Sequence, residues 1–253
     1  MKYYIIAGEA SGDLHGSNLI SEIRKLDVNA EIRCWGGEKM EAAGAALIKH
    51  YRDLAFMGFA EVVKNLPAIL RNFKFCKEDI LAFKPDVVIL VDYPGFNLRM
   101  AEWTKQNNIK NIFYISPQIW AWKESRVKLI KKFVDKMIVI LPFEKQFYET
   151  WSYEVEYVGH PLLQVVDNFK AGHPEIQPSI DIVALLPGSR KQEIRKKLPL
   201  MLEATKNFPS INFILAKAPS IDDSFYESFL ANYKNVEVVA NETYAVLMKA
   251  GAA

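Results

Sequence analysis

The chain has almost no excess of either charge, very little cysteine and no long apolar run, and each shortage excludes a class of protein. Its 32 lysines and arginines are nearly cancelled by 30 aspartates and glutamates. No broad basic face is therefore available for indiscriminate nucleic-acid binding, and any anion site must be local. The two cysteines, Cys34 and Cys76, stand in no CxxC or Cys/His spacing. That fits reduced thiols in a cytosol better than a disulfide framework, and it supplies no metal-ligand set. No stretch approaches the roughly 18 uninterrupted apolar residues of a membrane span, and the N-terminal YYII is too short for a signal-peptide core. Contact with a membrane surface stays open. A GxGxxG fingerprint with an acidic residue about 20 positions on is also missing, which weighs against a dinucleotide-dependent oxidoreductase.

What the chain does have is alternation. Compact apolar runs recur as YYIIAG, EIRCWGG, DVVILVD, NIFYIS, KMIVIL and VEYVG, separated by segments of helical spacing or composition. Parallel strands with crossover helices follow from that order. Near residue 170 the texture changes: NFKAGHPEIQPSID is poor in apolar residues and carries Gly172, Pro174 and Pro178. The pattern then restarts with DIVALLPGSR, INFILA and VEVVA. The reading is α/β, with two Rossmann-like domains facing a cleft: an N-terminal one over 1–169, a linker over 170–180, and a C-terminal one over 181–253. Three strands after residue 180 are fewer than the five or six of a doubly wound half, so the second domain is expected to be truncated.

Three short motifs carry candidate chemistry. In GEASGD a strand leaves through a Gly/Ser turn into a helix, which puts free backbone N–H groups at the mouth of the sheet. Gly8 and Gly12 permit close approach, Ser11 or Asp13 is placed to cap the helix, and Glu9 falls at the carboxyl edge of the first strand. LLPGSRKQEI repeats this form: Gly188 and Ser189 make the turn, and the guanidinium of Arg190 suits a pyrophosphate. Lys191, Arg195, Lys196 and Lys197 read as a solvated helix face. In VVILVDYPGFN, Asp92 closes a buried-looking strand, the usual place for chemistry in an open α/β sheet, or else caps the following helix. His160 in VGHPL is either a site residue or the shaper of a hinge. His15 and His173 receive no role.

Taken together and in order, AGEASGD, FMGFAEV, DYPGFN, SPQIWAW, LPFEKQFY, VGHPL and LLPGSR resemble the lipid-A-disaccharide synthases, inverting glycosyltransferases of the GT-B fold. The resemblance implies transfer of a diacylglucosamine unit from its UDP-linked donor to the 6-hydroxyl of diacylglucosamine 1-phosphate, releasing UDP. It implies no cofactor and no nucleic-acid partner, and a cytoplasmic location, peripheral on the inner face of the Gram-negative inner membrane. A homodimer of the full-length protein is left open, since the family's oligomer contacts involve a more C-terminal region. Carried over residue by residue, Asp92 is the general base, Arg190 is required for activity, and Glu9 lines the cleft with them. The substrate-binding set is Gly8, Ser11, Gly12, Met57, Asn97, Trp120, His160, Gly188 and Ser189.

Residue chemistry agrees with this. An inverting transfer needs a carboxylate to take the acceptor proton and positive charge or N–H groups to hold the leaving pyrophosphate. No Asp-x-Asp metal clamp occurs in the chain, so a metal-independent mechanism is expected. Both substrates carry acyl chains. LAFMGFAEVVKNLPAILRNFKF, dense in apolar residues and bearing Lys64, Arg71 and Lys74, reads either as a core-facing helix with a basic outer side or as an interfacial element. The resemblance favours the second, with Val62, Val63, Leu66, Ile69, Leu70 and Phe73 at the membrane. Trp120 and Trp122 either flank the acceptor or pack a loop. Two further readings stand beside the transferase: a UDP-sugar epimerase on the same fold, and a substrate-binding fragment without turnover.

Overall fold

The computed structural model describes residues 1–54, 66–218, 221–233 and 235–253, without the side chains of Leu66 and Trp122. Met57, Val62 and Val63 lie outside the described residues, as does the side chain of Leu66. The chain divides into two units, Met1–Pro161 and Leu162–Ala253. The division falls before the expected linker because helix α8 (Leu162–Gly172) belongs to the second unit, where Phe169 meets Tyr244.

The first unit is built on a seven-stranded, wholly parallel sheet in the order β3-β2-β1-β4-β5-β6-β7. Its strands are β1 (Lys2–Ala7), β2 (Glu31–Gly36), β3 (Ala46–His50), β4 (Val87–Val91), β5 (Asn111–Tyr114), β6 (Lys136–Val139) and β7 (Glu156–Tyr157). Central strands buried on both faces read as unbroken apolar runs, and every residue of VVILV in β4 is buried. Alternate residues serve opposite faces. Tyr4, Ile6, Val88 and Leu90 pack under α3 (Leu66–Phe83) and α4 (Pro94–Gln106) through Phe73, Cys76, Ile80, Phe96 and Met100. Ile5, Ala7, Ile89 and Val91 face α1 (Ala10–Leu26) and α2 (Glu38–Ala42) through Ile20 and Met40. At about 1.5–3 kcal/mol per fully buried large apolar side chain, this two-sided burial holds the layers together.

Phe73 corrects the sequence reading at one point. It is expected at the membrane but is buried, with its ring stacked 4.2 Å from that of Phe96. The apolar stripe of α3 from Phe73 through Cys76 and Ile80 to Phe83 is core. Ile69 packs against the same core, and Leu70 is exposed.

The second unit has a four-stranded parallel sheet, β10-β9-β8-β11, formed by β8 (Ser179–Leu185), β9 (Asn212–Lys217), β10 (Val236–Ala240) and β11 (Ala250–Ala252). A fourth strand thus joins the three expected. Its order matches β3-β2-β1-β4, so the unit repeats the opening half of the first.

Candidate active site

Strand order locates the site. From β1 the sheet grows one way through β2 and β3 and the other way through β4, so β1 and β4 flank the topological switch point, where ligands of open α/β sheets bind beyond the carboxyl ends. Ala7 is in register with Val91. Gly8 and Asp92, the next residues of each strand, therefore emerge side by side, and GEASGD and DYPGFN meet there. Ser116 after β5, Ile140 after β6 and His160 after β7 bring SPQIWAW, LPFEKQFY and VGHPL to the same edge.

Asp92 and Tyr93 are both left-handed, with φ of 45° and 50°. Two consecutive non-glycine residues in that region cost roughly 1–2 kcal/mol each, so the surroundings must hold them. The Asp92 N–H donates to the Tyr114 carbonyl at 3.0 Å. Asn97 closes the turn: its Nδ2 donates to the carbonyls of Asp92 (2.7 Å), Val91 (3.2 Å) and Ile6 (3.3 Å). Asn97, expected at the substrate, is fully buried and acts as the clamp that ties the ends of β1 and β4. The Tyr93 hydroxyl donates to the Leu54 carbonyl at 3.2 Å. Burial, and after it the Glu9 carboxylate, push the Tyr93 phenol above its ordinary value.

Gly8 and Gly12 are likewise packing positions. A Cβ on Gly8 would lie 2.3 Å from the Tyr93 ring, and one on Gly12 would lie 3.1 Å from the Ala7 Cβ. Glu9 is the extended N-cap of α1 and makes no side-chain cap bond there. Ser11 is exposed on the first turn. Asp13, read from sequence as a cap for its own helix, serves a neighbour instead. Its buried carboxylate accepts the N–H groups of Gly37 (2.7 Å), Met40 (3.1 Å) and Lys39 (3.2 Å) at the start of α2.

His160 is partly buried, and its ring lies edge-on to that of the buried His15, 6.3 Å between centroids. Burial and the neighbouring His160 both lower the His15 pKa. Sequence reasoning gave His15 no role, and no local signal pairs it with a residue beyond β7. Trp120, in the loop segment that includes the short helix Ile119–Trp122, stands edge-to-face on Phe143 at 4.8 Å. Beneath this loop the Ser116 hydroxyl meets that of Tyr148 at 2.8 Å. The buried Glu144 accepts the N–H groups of Leu141 (2.8 Å) and Ile140 (3.1 Å).

In the second unit LPGSR follows β8, the counterpart of β1. Gly188 has φ 119°, a backbone conformation that favours glycine. Ser189 is exposed. Arg190 is the extended N-cap of α9 (Lys191–Thr205), with its guanidinium 3.6 Å from Glu193 and half exposed. Lys191 and Arg195 lie over the Phe225 ring at 5.6 and 5.4 Å, which fits the solvated-face reading of those cations. Among the described residues no group of three His, Cys, Asp or Glu side chains comes together as a metal site.

Two Rossmann-like units, each with a glycine-containing turn after its first strand, define an α/β protein of GT-B type. Solved structures with this fold include UDP-GlcNAc 2-epimerase from Neisseria meningitidis bound to UDP-GlcNAc (TM-score 0.64, 13% identity, 98% of this chain and 74% of that one). Another is the spinosyn rhamnosyltransferase SpnG complexed with thymidine diphosphate (TM-score 0.59, 10% identity, 100% and 75%). At such identities the likeness is one of fold. The lipid-A-disaccharide synthetase family model matches residues 3–253, and the chain belongs to that family. Lipid-A-disaccharide synthase of Syntrophus aciditrophicus is 38% identical over 98% of this chain and 68% of its own length. That of Geobacter metallireducens is 39% identical over 96% and 66%. The chain thus spans about two thirds of the length of these relatives.

Proposed function

We propose that the protein is a glycosyltransferase that moves a 2,3-diacylglucosamine unit from UDP-2,3-diacylglucosamine to 2,3-diacylglucosamine 1-phosphate, forming the lipid A disaccharide and UDP. In this reading Asp92 takes the proton from the acceptor 6-hydroxyl as it attacks the anomeric carbon, and Glu9 and Ser11 form the polar rim beside it. Arg190, with the N–H groups of the Gly188–Ser189 turn, holds the pyrophosphate as the bond to UDP breaks. His160 borders the acceptor. The carrying observation is Asp92 itself: a carboxylate at the switch point, held left-handed by Asn97. The enzyme would work at the inner face of the inner membrane. No helix among the described residues is long and apolar enough to cross a bilayer, and the acylated substrates call for a surface contact, to which Leu70 and the other exposed apolar residues of α3 contribute.

The test is UDP release by the purified protein with and without acceptor. Release that needs the acceptor supports the transferase, whereas release without it favours the epimerase-like reading. Asp92→Asn keeps a residue that tolerates the left-handed region, so folding should be retained while turnover falls by about 10²–10⁴, the usual worth of a general base. Undiminished turnover would remove Asp92 from that role.

A further inference from the structure

We propose that an apolar slot between α3 and α4 of the first unit seats one acyl chain of the sugar substrate, an inference that rests on the proposed function. The slot has a volume of about 260 Å³ and is walled by Ile69, Phe73, Tyr93 and Phe96, with Asn72 and Arg99 as its polar members. It exceeds the ~150 Å³ cavity that admits benzene, yet falls below the ~300–1,000 Å³ of pockets that enclose a whole drug-sized ligand. One hydrocarbon chain fits that range, and a complete glycolipid does not.

Position gives the chain its owner. Tyr93 and Gly95, both in the wall, follow Asp92 directly, so a sugar whose hydroxyl reaches Asp92 carries its own tail to the opening. Arg99 lies over the Phe73 ring, 5.6 Å from its centroid. A cation set on an apolar wall suits a tailed molecule that also bears an anionic group, as the acceptor phosphate does. Gly95 is the second observation. It stands in the first turn of α4, its φ is not left-handed, and a Cβ there would meet nothing within 4 Å among the described residues. Among the described residues neither backbone nor packing requires glycine at this exposed point of the slot's lining, so a side chain can be added there without displacing a neighbour.

Gly95→Ala and Gly95→Leu fill the slot in two steps without removing any core atom, and alanine is the better helix former. The probes are N-acylglucosamine 1-phosphates with a short or a long acyl chain, their affinities measured by calorimetry, with UDP release followed in parallel. For the natural protein the long-chain probe should bind more tightly. Gly95→Leu should weaken long-chain binding at least about tenfold, or ~1.4 kcal/mol, leave short-chain binding within about twofold, and Gly95→Ala should fall between. Equal effects on both probes, or no effect, would overturn the slot while turnover by the natural protein kept the transferase reading intact. Selective loss of long-chain affinity with no acceptor-dependent UDP release would keep the slot and overturn the transferase. If Gly95→Leu weakened binding to plain phospholipid vesicles as much as to the probe, a membrane lipid would be the occupant and the substrate-tail assignment would fail.

Discussion

Replacing Asp13 tests how the start of α2 is held. Both carboxylate oxygens are engaged: Oδ1 accepts from Gly37 and Met40, Oδ2 from Lys39. The side chain is 2% exposed, so water cannot readily replace these bonds. A hydrogen bond to a charged group contributes about 1.5–3 kcal/mol when short, and loss of a helix cap costs about 0.5–2 kcal/mol. With one short and two longer contacts, Asp13→Ala should cost about 3 kcal/mol. Asp13→Asn keeps the oxygen that serves Gly37 and Met40 but turns an NH2 toward the Lys39 N–H, so it should cost about half as much. Gly37 belongs to the same device, since a Cβ there would lie 2.8 Å from Asp13 Oδ2 and 2.4 Å from the Tyr51 ring.

The assay is urea unfolding followed by circular dichroism, with the midpoint converted through an unchanged slope. In heat the alanine variant should melt ~6–12 °C lower, taking about 2–4 °C per kcal/mol for a domain of this size. A loss under about 1 kcal/mol would refute the reasoning, because the carboxylate would then not be holding α2. Equal costs for Asn and Ala would refute the assignment of separate duties to the two oxygens.

Three further outcomes follow from the same geometry. Gly8→Ala drives a methyl into the Tyr93 ring and should cost about 2 kcal/mol; adding Tyr93→Leu should recover at least about 1 kcal/mol of it in a double-mutant cycle, and strict additivity would deny the contact. Because His15 is pulled below its usual value of 6.5 by burial and by His160, the unfolded chain binds the proton first, so folded-state stability is present above pH 6.5 and is lost as pH falls through 6.5 toward the lower folded value. His15→Leu should flatten that part of the urea-midpoint profile, and parallel profiles would refute it. Arg190→Ala should reduce turnover by at least about tenfold with stability within ~1 kcal/mol, since its half-exposed pair with Glu193 is worth little, and Arg190→Lys should restore only part of the loss because the planar fork is gone; unchanged kinetics in both would take Arg190 out of the site.

Most of the strand framework was legible because it rests on apolar runs that only a sheet buried on both faces can use. Two strands were not. Ala46–His50 follows an alanine-rich segment and is only partly buried at the sheet edge, so its composition carries little strand signal. Ala250–Ala252 has no β-branched residue at all and is a strand only through its pairing with β8. The candidates Glu9, Asp92 and Arg190 were legible because each stands where an apolar run gives way to a turn. Reading stopped where partners are distant in sequence: Asp13 with the start of α2, Asn97 with the end of β1, His15 with His160. Phe73 shows a different limit, since a helical apolar stripe has one period whether it faces a core or a bilayer, and only the ring of Phe96 decides between them.

The internal repeat explains why three motifs of such different sequence belong together. In each unit the first strand leads through a glycine-containing turn into a helix, and that strand lies beside the point where the sheet reverses. The order of strand, turn and helix is shared, but the turns differ: Gly8 and Glu9 alone join β1 to α1, whereas residues 186–190 join β8 to α9 with Gly188 left-handed. Around the β1 and β4 turns the exposed or half-buried groups include Glu9 and Asp92, suited to accepting a proton from a hydroxyl. Around the β8 turn the corresponding group is Arg190, suited to holding an anion as it leaves. The two halves of a transfer that removes a proton from one substrate and releases a pyrophosphate from the other call for opposite charges on separate supports. Under the proposed transfer, the carboxylates follow strands of one unit and the guanidinium follows a strand of the other.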